Sequence, residues 1–117
     1  MKVSDIASYL DATIIVGKDQ GDFEVSSAFG SDLMSDVLAF IKDNSLLLTG
    51  LVSPHVVRTC EMLDVMVIVF VRGKRPSEEI VELAQERDMI VMTTNLTLYE
   101  ASGVLYQHGL GGTSDNG

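Results

Sequence analysis

The chain holds one cysteine, Cys60. It forms no internal disulfide, and such sparing use of cysteine fits a reducing cytosol. There is no tryptophan, and proline occurs only at positions 54 and 76. With one thiol and two well-separated histidines, no recognisable metal-ligand spacing is present. Long apolar runs are missing too. The longest, from Val65 to Val71, covers seven residues, whereas a membrane-spanning helix takes about 20. The segment Met1–Asp5 lacks the extended apolar stretch of a secretory signal. Basic residues are scarce: eight Lys and Arg stand against 17 Asp and Glu, a formal net charge of −9. A nucleic-acid binder needs a basic surface to meet phosphates, so that class is disfavoured. These absences lead to the expectation of a soluble cytoplasmic protein with no nucleic acid and no membrane among its partners.

What is present is a pattern. Hydrophobic residues make up 46% of 117, enough for one domain that buries roughly two-thirds of its unfolded surface. Three times an apolar strand runs through a short polar turn into an amphipathic helix. The strands are Leu46–Thr49, Val65–Val71 and Met89–Thr93. Strands apolar in both parities, alternating with helices, imply a parallel sheet covered on both faces. The predicted architecture is α/β, a three-layer sandwich with a mainly parallel sheet and Rossmann-like strand–helix alternation. Sheets of this kind bind ligands beyond the carboxyl ends of their strands.

The opening half is less regular. Val3, Ile6, Ala7 and Leu10 follow helical spacing, and Asp11 ends that short helix. Ala12–Val16 reads as a strand. Gly17–Asp22 is turn chemistry, and the alternation of Phe23, Val25 and Ser27 with Glu24 and Ser26 predicts a second strand there. Gly30-Ser31-Asp32 punctuates before a helix carrying Leu33, Met34, Val37, Leu38 and Ile41. Ser53 and Pro54 suit the start of the next helix. Pro76-Ser77-Glu78-Glu79 opens another with acids at the positive end of its dipole. Thr97 and Glu100 have the spacing of a capping box, with Tyr99, Ala101, Val104 and Leu105 expected on the inward face. His108-Gly109 marks the end of that helix. Residues 1–109 are read as a single domain and 110–117 as a flexible C-terminal tail.

The chemical motifs are thin. Gly73-Lys74 lacks the preceding glycine of a phosphate loop, and Arg75 stands where its hydroxyl belongs. No GxGxxG follows any strand. Ser53 and His55 lie two apart at a helix start, a spacing that does not face a nucleophile towards its base. Cys60 falls on a buried stripe and reads as packing, as do the six methionines. No catalytic residue, metal ligand or cofactor is assigned. What remains is a polar rim at the three strand ends: Thr49 and Gly50, then Arg72 and Gly73, then Thr93, Thr94 and Asn95. Together with Ser53 at a helix N-terminus, the set Thr49, Gly50, Ser53, Arg72, Gly73, Lys74, Thr94 and Asn95 is the candidate ligand-binding site, suited to an anion.

At these residues a resemblance emerges. The succession Gly30-Ser31-Asp32-Leu33-Met34-Ser35, Leu47-Leu48-Thr49-Gly50, Ile68–Pro76 and Ile90–Thr94 resembles the DRTGG domain, over nearly all of residues 1–109. The segment Val69–Thr94 is also similar to the N-terminal domain of HPr kinase/phosphorylase, where an Arg-Gly pair likewise follows the strand. In the DRTGG family the domain accompanies CBS domains in regulatory proteins and pyrophosphatases, and it occurs within some phosphotransacetylases. The resemblance implies an α/β fold used for regulation and subunit contacts, with catalysis housed elsewhere. This chain departs from the family at the motif itself. Leu51-Val52 occupy the Asp-Arg positions, Val71-Arg72-Gly73 the Thr-Gly-Gly positions, and Thr97-Leu98 the Asp-Thr positions. Apolar groups where polar ones are usual favour a contact surface, so Leu51 and Val52 are the candidate interface anchors. The expected function is a non-enzymatic regulatory or adaptor domain that forms a homodimer and contacts an unidentified protein partner. The alternative is a sensor binding a nucleotide or phosphorylated metabolite at the rim.

Overall fold

Apolar residues in both parities of a strand dictate a sheet with two covered faces, and the chain builds one. The computed structural model describes residues 1–113. Along these run α1 (Val3–Tyr9), β1 (Thr13–Val16), β2 (Ser27–Gly30), α2 (Met34–Phe40), β3 (Ser45–Thr49), α3 (Pro54–Met62), β4 (Val67–Phe70), α4 (Glu78–Glu86), β5 (Ile90–Thr93) and α5 (Leu98–Gln107). The strands form one sheet in the order β1-β5-β4-β3-β2. The β2, β3, β4 and β5 strands are mutually parallel, and β1 closes the far side antiparallel to β5. The predicted three-layer, mainly parallel architecture is the one observed.

Alternation along the central strands divides the interior in two. Leu46, Leu48, Val67, Val69, Ile90 and Met92 pack with Val3, Ile6 and Leu10 of the α1 segment and with Ala101 and Leu105 of α5. Leu47, Ile68, Phe70 and Val91 point the other way. They meet Met34 and Val37 of α2, Val56, Val57 and Cys60 of α3, and Ile80 and Ala84 of α4. The β2-to-β5 strands advance across the sheet in chain order. Crossovers of one hand repeated in one direction all fall on the same face, which is why α2, α3 and α4 form one layer. The α5 helix, leaving the last parallel strand, crosses to the other.

Four helices stop by the same device. Asp11, Asp64, Asp88 and Gly109 follow α1, α3, α4 and α5 with positive φ. Each is followed by an apolar residue whose N–H reaches back five positions: Ala12 to Ala7, Val65 to Cys60, Met89 to Ala84 and Leu110 to Leu105, at 2.8–3.0 Å. This is the Schellman arrangement, with its apolar contact across the last turn. At α5 it has a consequence for the domain boundary. Leu110 is buried in the core, and the Gly111 carbonyl accepts the Ala28 N–H at 2.9 Å. The tail expected from residue 110 is therefore tied down at its start; Ser114–Gly117, which complete it, lie outside the described residues.

Other local expectations need correction. The second strand lies at Ser27–Gly30 rather than across Phe23–Ser27, because Phe23 and Val25 pair with the N-terminal segment instead. Val3 N–H donates to Phe23 O and Val25 N–H to Met1 O, each at 2.9 Å. Alternating burial appears whichever partner supplies the ladder, so the pattern alone placed the strand too early. Leu33 and Leu38 are exposed, since α2 sits beside the outermost strand and buries only Met34 and Val37. Tyr99, expected inward, is 88% exposed. The buried stripe of α5 runs through Ala101 and Leu105, and Tyr99 lies well round the helix from it. Cys60 is buried as expected, and desolvation pushes its thiol up to about 12, so it stays protonated and unreactive near neutral pH.

Two outcomes follow. Ile68 is fully buried at the sheet centre, and Ile68→Ala should cost about 2–5 kcal/mol in denaturant unfolding. In the capping box of α5 the Glu100 carboxylate accepts from Thr97 N–H at 3.0 Å and from the Thr97 hydroxyl at 2.9 Å. These bonds, the backbone one first, hold its pKa below the usual carboxylate value. A depressed folded-state pKa contributes stability above the unfolded value and loses it as pH falls through the folded one. The stability gap between the wild type and Glu100→Ala, followed by thermal unfolding, should therefore narrow on acidification.

Candidate functional site at the strand ends

Parallel alignment brings the carboxyl ends of β2, β3, β4 and β5 to one edge. The register sets Gly30 beside Leu48, Thr49 beside Phe70, and Phe70 beside Thr93. The ends of these strands and the loops that leave this edge hold every predicted ligand-binding residue.

Their hydrogen bonds are largely internal. Asp32, just beyond β2, reaches across to the β3–α3 loop. Its Oδ1 accepts the Gly50 N–H at 2.6 Å and the Thr49 hydroxyl at 3.1 Å. Thr49 Oγ1 in turn accepts the Leu51 N–H at 3.1 Å. Ser53 caps α3 by accepting the His55 N–H at 3.2 Å, with Pro54 next in the first turn. His55 is exposed. Leu51 and Val52 are half-buried against the α2–α4 side of the core, so only part of their apolar surface faces the rim.

At the end of β4 the chain turns through two consecutive residues of positive φ, Arg72 (58°) and Gly73 (69°). Lys74 N–H donates to Val71 O at 3.1 Å, closing the turn. Gly73 is needed here: beyond its φ, a Cβ would stand 3.1 Å from Asn95 Oδ1. Arg72 is the exception. The other positive-φ residues among the described ones are Asp, Asn or Gly, types that tolerate this region, whereas for an arginine it costs roughly 1–2 kcal/mol. The strained backbone carries the guanidinium towards Gly50. A Cβ on Gly50 would lie 3.3 Å from Arg72 Nη2 and 3.5 Å from both Asp32 carboxylate oxygens. A cationic and an anionic side chain thus flank the glycine at the head of β3.

In α/β sheets the binding crevice opens where neighbouring loops diverge to opposite faces. Here that point lies between β4, whose loop leads to α4, and β5, whose loop leads to α5. It is stitched shut. Arg72 N–H donates to Leu96 O at 2.8 Å and Gly73 N–H to Thr94 O at 2.9 Å. The Thr93 hydroxyl donates to Lys74 O at 2.6 Å. Thr94, buried, donates its hydroxyl to Leu10 O at 2.7 Å and accepts the Leu96 N–H at 3.3 Å. The groups left facing outwards are the side chains of Arg72, Lys74 and Asn95, all exposed residues. Asp32 had no place among the predicted site residues. Its partners are 17 and 18 positions away, and a Gly-Ser-Asp turn in sequence signals only punctuation.

The fold and its rim define a three-layer α/β module whose strand-end loops are braced against one another. A family model for the DRTGG domain matches residues 5–108, and the chain belongs to that family. No curated protein matches it. Among solved structures it is similar to the CBS and DRTGG domains of the regulatory region of Clostridium perfringens pyrophosphatase, in complex with the activator diadenosine tetraphosphate. The TM-score is 0.75 and the identity 22%, covering 98% of this chain and 51% of that one. The chain spans about half the length of that protein's crystallised chain, and likeness at this identity is a likeness of fold.

Arg72→Gly should raise unfolding stability by about 0.5–1 kcal/mol. Relief of the left-handed strain outweighs the greater entropy of glycine in the unfolded chain. Chemical denaturation checks it; a loss of stability would mean that the guanidinium contributes more than its backbone costs.

Proposed function

We propose that the chain is a non-catalytic regulatory domain acting through self-association and contacts with protein partners. The observation that carries this reading is the internal use of the rim's polar groups. The hydroxyls of Thr49, Thr93 and Thr94 are donated within the protein, and the N–H groups of Gly50, Arg72, Gly73 and Lys74 are likewise engaged. Catalysis needs a nucleophile or an acid–base group poised in a cleft, and phosphate cradles need free N–H groups. The rim supplies side-chain charge and braced loops instead. Membership of a family represented in a pyrophosphatase regulatory region agrees with a regulatory role. Leu51 and Val52 contribute whatever apolar surface the core leaves uncovered.

Light scattering tests the proposal. At tens of micromolar, a concentration matched to ordinary affinities, the mass should correspond to two chains. A monomer at every concentration overturns it.

A second reading rests on Arg72. An exposed guanidinium beside Gly50, with Lys74 and Asn95 also exposed on neighbouring loops, suits the phosphates of a nucleotide, and the similar regulatory region was crystallised with a dinucleotide activator. On this reading a panel including diadenosine tetraphosphate raises the melting temperature by mass action, and Arg72→Gly abolishes the rise while leaving the apo protein folded. Absence of any shift across the panel removes the support.

A further inference from the structure

The outer face of α5 is the most conspicuous surface that neither the core nor the rim explains. Leu98–Gln107 contains one charged residue, Glu100, and that carboxylate is bound to Thr97 at the helix start. Opposite the buried Ala101 and Leu105 lie Tyr99, Gly103 and Tyr106, the tyrosines 88% and 74% exposed. With Ser102 and Gln107 they line a shallow, largely apolar groove of about 370 Å³. Gly103 sits at its centre, in the middle of the helix. Glycine is a poor helix former, and a Cβ at this position would meet nothing within 4 Å. The isolated domain therefore gives no packing reason for it. Contrast Gly30, where a Cβ would come within 2.9 Å of Leu98 Cδ1 and that side chain of α5 would have to shift.

We infer that this face docks a second copy of the chain, helix against helix. Gly103 lies at the crossing, and Tyr99 and Tyr106 of each copy pack over the other's glycine. The inference rests on the self-association reading and gives it a surface. Charge selects the occupant. Two chains of net charge −9 repel across most of their surfaces but meet here over uncharged groups. A basic partner would instead seek the acidic helices on the opposite layer, such as α4 with Glu78, Glu79, Glu82 and Glu86. The areas are also of the right order. Two exposed tyrosines offer roughly 300 Å² per copy, an aromatic centre for an interface of about 800 Å² per partner. An isologous contact doubles each such pairing, and the absence of a side chain on Gly103 lets the backbones approach.

Cross-linking tests the geometry. In Gly103→Cys the new thiol points into open space, and Cys60, the one native cysteine, is buried. Mild oxidation should give a disulfide-linked dimer, since two thiols near a two-fold axis fall within bridging distance. Glu82→Cys, on the other layer, should give none. In parallel, Tyr106→Glu should raise the dimer dissociation constant at least tenfold by light scattering, with the circular dichroism of the wild type. Gly103→Gln, whose Cβ meets nothing within 4 Å in the monomer, should do the same. A wild-type dimer that all these variants leave untouched overturns the α5 interface but not self-association. A wild-type monomer overturns both. Cross-linking of Gly103→Cys to a different protein, with none to itself, replaces the second copy by another occupant and also overturns the inference.

Discussion

Burial of β3, β4 and β5 on both faces is the constraint from which the rest of the molecule follows. Each of these strands spends alternate residues on two separate interiors: Leu46 and Leu48 against Leu47, Val67 and Val69 against Ile68, Ile90 and Met92 against Val91. A strand of that kind has no polar side to give to water, so helices must cover both faces. Once the parallel strands advance in a single direction, one hand of crossover sends three helices to one layer. Only the two terminal helices remain for the other. The rim is thus a by-product of chain direction, the place where every loop of one polarity must emerge.

That origin explains why the rim is crowded rather than cleft. Loops that return to the same face run side by side, and Asp32 bridges two of them through Thr49 and Gly50. Between β4 and β5 the loops do part, but backbone bonds from Arg72 and Gly73 to Leu96 and Thr94 close the gap. Buried Thr94 then ties the same corner to the end of α1 through Leu10. Hydroxyls and amides at such positions look like a ligand set on paper. In the folded chain they satisfy one another, as buried polar groups must.

How much of this was legible in the sequence varies with the range of the interaction. The three strand–helix units were readable because their signals are local: both-parity apolar strands, Ser53-Pro54 and the Thr97–Glu100 capping box. The convergence of Thr49, Arg72 and Thr94 on one edge followed from parallel topology alone. What escaped depends on distant partners. Phe23 and Val25 alternate as a strand would, but pair with the first residues of the chain. Asp32 looks like any turn aspartate until Gly50 is placed beside it. Tyr99 was drawn inward by its apolar bulk, when the 3.6-residue period centred on Ala101 and Leu105 puts it outside. Leu110 is a local miss: Gly109 followed by a leucine repeats the stop used after α3 and α4, and reading it as such would have extended the domain.

That final stop also guards a vulnerable boundary of the molecule. The outermost parallel strand has an outward-facing backbone, and unpaired strand backbone recruits strands from other molecules. Gly111 occupies one of its donors, at Ala28, while on the opposite side of the sheet the pairing of β1 slips between Ile14 and Val16. Both margins are thereby made poor templates for lateral growth. Clipping the chain just after Gly109 would strip away that cover and the anchoring leucine together, leaving the Ala28 N–H open on an outer strand edge.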